Sequence, residues 1–152
     1  MASTSQSTGE TSLQALLSTL DLVLHEATYV FLSIPDSQFV APFPIPLHDI
    51  QMFFREAEGA TLIVRQDVAE RFELTLSEDY QYQYPCRMIT CNVHSSLEAV
   101  GFMAHLATKL ADRGISVNPV SGYFHDHLFV PVERAEEAVG ILEQVRKDAR
   151  KG

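Results

Sequence analysis

Long apolar runs are missing from this chain of 152 residues. A helix that spans a bilayer needs roughly 20 consecutive apolar residues. No stretch approaches that, so no membrane association is expected. Positive charge is also scarce. Eleven Lys and Arg stand against 20 Asp and Glu, for a formal net charge of −9. Nucleic acid and anionic membranes select clustered cations, so neither is an expected partner. The basic residues that do cluster are Arg146, Lys147, Arg150 and Lys151. They fall at the end of the last predicted helix, where they complement the negative pole of its dipole. Cysteine is limited to Cys86 and Cys91. On one extended segment their odd separation places them on opposite faces. Neither a mutual disulfide nor a shared metal is then expected, and Cys91 reads as a small core hydrophobe. The N-terminal run MASTSQSTGETS has no basic start and no apolar centre, which speaks against a signal peptide. With no plausible bridge, the expected compartment is the reducing cytosol. Nucleophile elbows and glycine-rich phosphate loops are absent as well. No catalytic set and no cofactor are therefore expected.

What is present describes architecture. An apolar content of 46% fits a globular protein, and the length suits one domain or two small fused ones. Residues 1–11 read as a flexible tail, because Ser, Thr and Gln bury too little surface to offset ordering. Leu13, Leu16, Leu17 and Leu20 have helical spacing. Tyr29–Ile34 reads as a strand ending at Pro35. Four prolines between Ile34 and Leu47 predict an extended surface loop. Gln51–Arg65 reads as a hairpin turning at Gly59. Asp67 is placed to cap a short helix reaching Arg71. Phe72–Leu76 alternates like a strand, and Ser77–Pro85 reads as a tyrosine-rich loop.

The second half has sharper signals. Met88–Val93 is a predicted strand. Ser95-Ser-Leu-Glu98 has the form of a capping box. Ala99, Phe102, Met103, Leu106 and Leu110 then form one buried helical stripe. Ser116–Ser121 is extended, Gly122–Asp126 turns and His127–Val132 is a strand. A final helix from Ala135 buries Ala138, Val139, Leu142 and Val145. The order β-α-β-β-α predicts an α+β, ferredoxin-like antiparallel sheet with both helices on one face. Such a unit wants a fourth strand from elsewhere, with Tyr29–Ile34 and Phe72–Leu76 as candidates. The first half reads as a degenerate echo of the second. The predicted organisation is a tail over 1–11, a degenerate half over 12–85 and a complete half over 86–152.

Several polar groups invite chemistry. His125-Asp126-His127 has the residue types of a metal site, but a hairpin turn accounts for it: Asp126 bonds within the turn and the imidazoles satisfy nearby backbone. Glu56 and Glu58 could do acid–base work, yet a solvated turn explains them. His105 reads as a half-exposed surface residue. Ser95, Ser96 and Asn118 are each divided between ligand contact and a local capping or strand-end role.

The runs Gly101…Leu110-Ala-Asp-Arg-Gly-Ile-Ser-Val-Asn118 and Gly122-Tyr-Phe-His-Asp-His-Leu-Phe-Val-Pro-Val-Glu133 resemble the ACT domain. More narrowly, they resemble small stand-alone ACT proteins related to the CASTOR type of cytosolic arginine sensor. The hairpin Phe53–Val64 resembles the first-half hairpin of that group, and the likeness spans about residues 25–146. It implies a non-enzymatic regulatory fold that binds amino acids or similar small polar metabolites between ACT units. Carried over by position, the implied ligand residues are Ser95, Ser96, Val100 and Gly101 in the loop, and Ser116, Val117 and Asn118 on the strand. A helix N-terminus suits a carboxylate, and an edge strand offers free amides and carbonyls. Pro119 supports the edge position while removing one donor. The arginine-sensing relatives carry more than one ACT pair per chain. A single pair here implies a homodimer if the site lies at an interface. The other reading is a protein-interaction module that docks a regulatory partner on its sheet edge and loop. An enzyme built on the His-Asp-His run ranks last.

Overall fold

The computed structural model describes residues 9–38, 43–73 and 81–152. Ten principal elements follow one another: α1 (Leu13–Ser18), β1 (Leu22–Pro35), β2 (Ile50–Glu56), β3 (Gly59–Arg65), α2 (Gln66–Glu73), β4 (Gln81–Cys91), α3 (Phe102–Ala111), β5 (Asn118–Ser121), β6 (Asp126–Pro131) and α4 (Ala135–Lys151). They fall into two compact units. One contains the chain up to His25 together with Met88–Gly152, and the other is Glu26–Arg87. Strands β1 and β4 each contribute to both.

In the first unit the strand order is β1-β4-β6-β5. The predicted β-α-β-β-α order is present, with its sheet and helices arranged as expected. Ile89, Cys91, Leu128 and Val130 from the strands share a core with Phe102, Leu106 and Leu110 of α3 and with Ala138, Leu142 and Val145 of α4. One face of the strands therefore meets both long helices. The missing fourth strand is β1, through its first residues, Leu22–His25, ahead of the Tyr29–Ile34 segment expected from sequence. Leu16, Leu17 and Leu20 join the same core, which fixes α1 by burial of its leucine face. Ser12 caps it, accepting from the Ala15 amide at 3.3 Å.

The second unit has β2, β3 and β1 in that order, with β4 next to β1. β3 pairs antiparallel with β1 from Tyr29↔Arg65 to Pro35↔Gly59, and with β2 up to Glu56↔Gly59. Gly59 has φ of +146°, and a Cβ there would stand 2.3 Å from the Ile34 carbonyl oxygen. Only glycine lets the two strands approach so closely at this hairpin. Val30, Leu32, Ile34, Leu62 and Val64 meet Val68 and Ala69 of α2.

Sequence expectation and structure differ at several other points. Ile45, in the proline-rich segment, is 1% exposed and joins the second core. That part of the segment is not a surface loop; residues 39–42 lie outside the described ones. Asp67 lies inside α2, which begins one residue earlier, and binds Arg65 instead of capping. Phe72 and Glu73 end α2, so the strand predicted at Phe72–Leu76 is helix where described, and 74–76 lie outside. The tyrosine-rich stretch belongs to β4 from Gln81 onward, while 77–80 lie outside the described residues. Glu10 pairs in parallel with Ser95, so the expected tail does not extend over residues 9–11. Residues 1–8 are outside the described set. No helix among the described residues is long and apolar enough to cross a membrane.

Candidate functional site

The end of the first unit where β4 leaves the sheet gathers the polar residues singled out by sequence. The chain leaves β4 at Cys91 and runs through a loop to Gly101. Ser95 is buried at 8% exposure and donates from Oγ to Asp126 Oδ2 at 2.9 Å. Asp126, also 8% exposed, accepts a second hydroxyl from Ser121 Oγ at 2.6 Å. One buried carboxylate thus ties the loop to the hairpin joining β5 and β6. Two hydroxyl donors compensate much of its lost hydration. Ser95 is accordingly a fastening residue, with its hydroxyl turned toward Asp126.

The capping box does not form. Ser96 Oγ accepts from the Glu98 amide at 3.1 Å, one residue short of the capping-box spacing. The Ser96 amide donates to the carbonyl of Glu10 at 2.9 Å. Helix α3 begins only at Phe102. Its N-cap is Gly101 at φ of +88°, which has no side chain with which to cap the first-turn amides. A left-handed residue there lets the loop turn sharply into the helix axis. It also leaves the first-turn amides without a bond from the N-cap residue.

Around this start, Val100 is 84% exposed and Leu97 68% exposed. On the following strand, Ser116 and Asn118 are exposed and Val117 is half-buried against the core. Among the described residues, β5 ends the strand order and pairs with β6, Asn118 opposite Phe129 and Pro119 opposite Leu128. Its free edge tolerates Pro119. The seven predicted residues therefore divide. Val100, Ser116 and Asn118 are open to solvent, Ser96, Gly101 and Val117 are partly covered, and Ser95 faces inward.

The His125-Asp126-His127 run closes the turn at His125 and opens β6 with Asp126 and His127. His125 donates from Nδ1 to the Val93 carbonyl at 3.1 Å, and the Gly122 amide donates to the His125 carbonyl at 2.9 Å. His127 Nδ1 lies 3.0 Å from Thr90 Oγ1, which lies 2.8 Å from His25 Nε2. This chain crosses three adjacent strands. The single hydroxyl can donate to one ring nitrogen and accept from the other. Burial, followed by the positive charge of His125 and His25, holds His127 below the usual histidine range. Among the described residues, no group of three or more His, Cys, Asp or Glu is arranged to hold a metal ion. Both cysteines are buried free thiols, pushed up to about 12 chiefly by burial, so neither is a ready nucleophile. His105 is half-buried on α3.

Sequence reasoning missed Glu10 and the His25–Thr90–His127 chain. Glu10 follows Gly9, where a Cβ would stand 2.6 Å from the Ser96 amide nitrogen. A glycine just before a capped helix was the available signal. His25 and Thr90 carry none, since only strand pairing brings them together.

An ACT-domain model matches residues 8–87, and a second ACT-domain model matches residues 81–144. The chain is 34% identical to a Vibrio cholerae protein of unknown function described as a possible transport protein. That match covers 88% of this chain and 95% of the other, with a TM-score of 0.72. A structure from Agrobacterium tumefaciens is 15% identical over 84% of this chain and 89% of its own, with a TM-score of 0.65. The ligand-free regulatory subunit of aspartate kinase from Thermus thermophilus is 16% identical over 85% of this chain and 98% of its own, with a TM-score of 0.61. No curated protein matches the chain.

Proposed function

This chain belongs to the ACT-domain family, and on that premise we propose that it is a non-enzymatic regulatory module that binds an amino acid or a similar small polar metabolite. The observation that carries the reading is the start of α3. Its first-turn amides follow Gly101 at φ of +88° with no side-chain cap, and they suit a ligand carboxylate. The Ser95–Asp126–Ser121 fastening holds the loop in place, and the exposed edge of β5 supplies backbone groups for an ammonium. Ser96, Val100 and Gly101 line the loop side of the site, and Ser116, Val117 and Asn118 its strand side, with Ser95 positioning the loop from behind. The ligand closes this site between ACT units of two copies, so the working form is a homodimer. The likeness to arginine-sensing ACT proteins makes arginine the first candidate and the cytosol the expected compartment.

A thermal-shift screen of the full chain against the twenty amino acids tests this. At least one should raise the melting temperature saturably, and Ser116→Ala/Asn118→Ala should weaken that response. A flat response from dimeric protein would overturn the reading.

A second reading has its own observation. Tyr123 and Phe124 are 64% and 61% exposed, their ring centroids 5.0 Å apart, and Phe124 lies 5.8 Å from the His94 ring. Exposed aromatics of this kind suit a protein partner. Capture of a partner that survives Ser116→Ala/Asn118→Ala without added metabolite would favour docking over sensing.

A further inference from the structure

On the outer side of the first unit, α1, α3 and α4 enclose a groove of about 500 Å³. That volume falls within the range of small-molecule sites. Its floor is apolar: Leu17 and Val145 are buried core residues and Ile141 is partly buried against them. Its rim carries both signs of charge, Lys109 and Arg113 against Asp112 and Asp148. Two of these are already engaged. Arg113 lies 3.8 Å from Glu137, and Asp148 accepts from Gln144 at 2.8 Å. Lys109 and Asp112 have no ion pair or side-chain hydrogen bond among the described residues. They line the groove three residues apart.

The geometry points to a binding site for a small zwitterion bearing an apolar group. Its carboxylate meets Lys109, its ammonium meets Asp112, and its apolar part lies on Leu17, Ile141 and Val145. The charge balance decides the class. With Arg113 held by Glu137 and Asp148 bonded to Gln144, the two remaining rim charges, Lys109 and Asp112, are one of each sign, which a zwitterion matches. A dianionic phosphate would add uncompensated charge near the C-terminal, negative end of α3. A purely apolar ligand would cover Lys109 and Asp112 without partners. This site lies on the helices, away from the loop of Ser95, and does not depend on that loop binding anything.

NMR titration of the full-length, amide-labelled protein with L-phenylalanine tests it. Controls are 3-phenylpropionate, which lacks the ammonium, and phenethylamine, which lacks the carboxylate. Expected are saturable shifts along α3 and α4 with L-phenylalanine, and about five-fold weaker binding for each control. Lys109→Gln and Asp112→Asn should each weaken L-phenylalanine by about the same factor. Both residues are exposed, so the variants should keep the native spectrum. Equal response to the three compounds, or no saturable shift on α3 and α4, would overturn the proposal. So would shifts of those amides with protein concentration alone, which would mean a second copy covers the groove. Shifts confined to residues 95–101 and 116–121 would overturn this site while supporting the loop, which keeps the two failures apart.

Discussion

The two units are built to one plan with unequal resources. Among the described residues, the first core gathers sixteen buried side chains and the second eight. The first has a ten-residue and a seventeen-residue helix over its strands, while the second has one helix of eight. Buried apolar area is the main stabilising term. The second unit therefore depends more on its strand pairings and on strands β1 and β4, which continue into the first. The polar contrast runs the same way. Asp126 with its two serines and the Thr90 hydroxyl between two imidazoles both lie in the first unit. In the second unit the buried Cys86 thiol, a weaker donor than a hydroxyl, donates to the Tyr29 carbonyl at 3.4 Å.

Core truncation should expose the inequality most strongly. Leu106 and Leu62 are both fully buried, one in each unit. Replacing either by alanine costs about 2–5 kcal/mol. Leu106→Ala should lie at the upper end, because long helices hold its cavity open, and Leu62→Ala at the lower end, because a short helix settles more easily. Urea unfolding of the two variants measures this, and the reverse ranking would break the comparison.

Next is the fastening of the loop. Asp126→Ala leaves the Ser95 and Ser121 hydroxyls without their acceptor and should cost about 1–3 kcal/mol. Hydrogen exchange should rise first in residues 94–101. The corresponding device in the second unit is conformational. Gly59→Ala forces a side chain into the Ile34 carbonyl at a positive φ and should cost at least about 1–2 kcal/mol. Its exchange effects should appear in the β2–β3 hairpin.

The smallest effect is in pH dependence. His127 has its pKa lowered from the ordinary 6.5 in the folded chain. Between the two values the unfolded chain binds more protons, so folding stability rises with pH there. The contribution is complete above about 6.5 and is lost as pH falls toward the folded value. His127→Gln should flatten the melting-temperature profile below pH 6.5. An unchanged slope would assign it to other histidines.

How much of this was legible depended on how local each signal was. The periodicity of Phe102, Leu106 and Leu110, and of Ala138, Leu142 and Val145, marks α3 and α4 because burial repeats with the helix turn. The hairpin at Gly59 was legible for the same local reason. The start of α3 was misread: Ser95-Ser-Leu-Glu98 has capping chemistry, but Glu10 takes the Ser96 amide and Asp126 takes the Ser95 hydroxyl. Both partners are distant in sequence, so no spacing rule shows them. Tyr82-Gln-Tyr84 alternates as a strand should, yet its polarity suggested a loop. Tyr84 at φ of +63° breaks the regular pattern. Of the candidate positions, Val100, Ser116 and Asn118 lie at the surface, while the inward turn of Ser95 needed coordinates.

The comparison comes to a point in one experiment, hydrogen exchange of the full chain with and without the amino acid that most raises its melting temperature. The account predicts new protection in residues 95–104 and 116–121 of the first unit, with residues 50–65 of the second unchanged. Protection confined to 50–65, or none at saturating ligand, would contradict it.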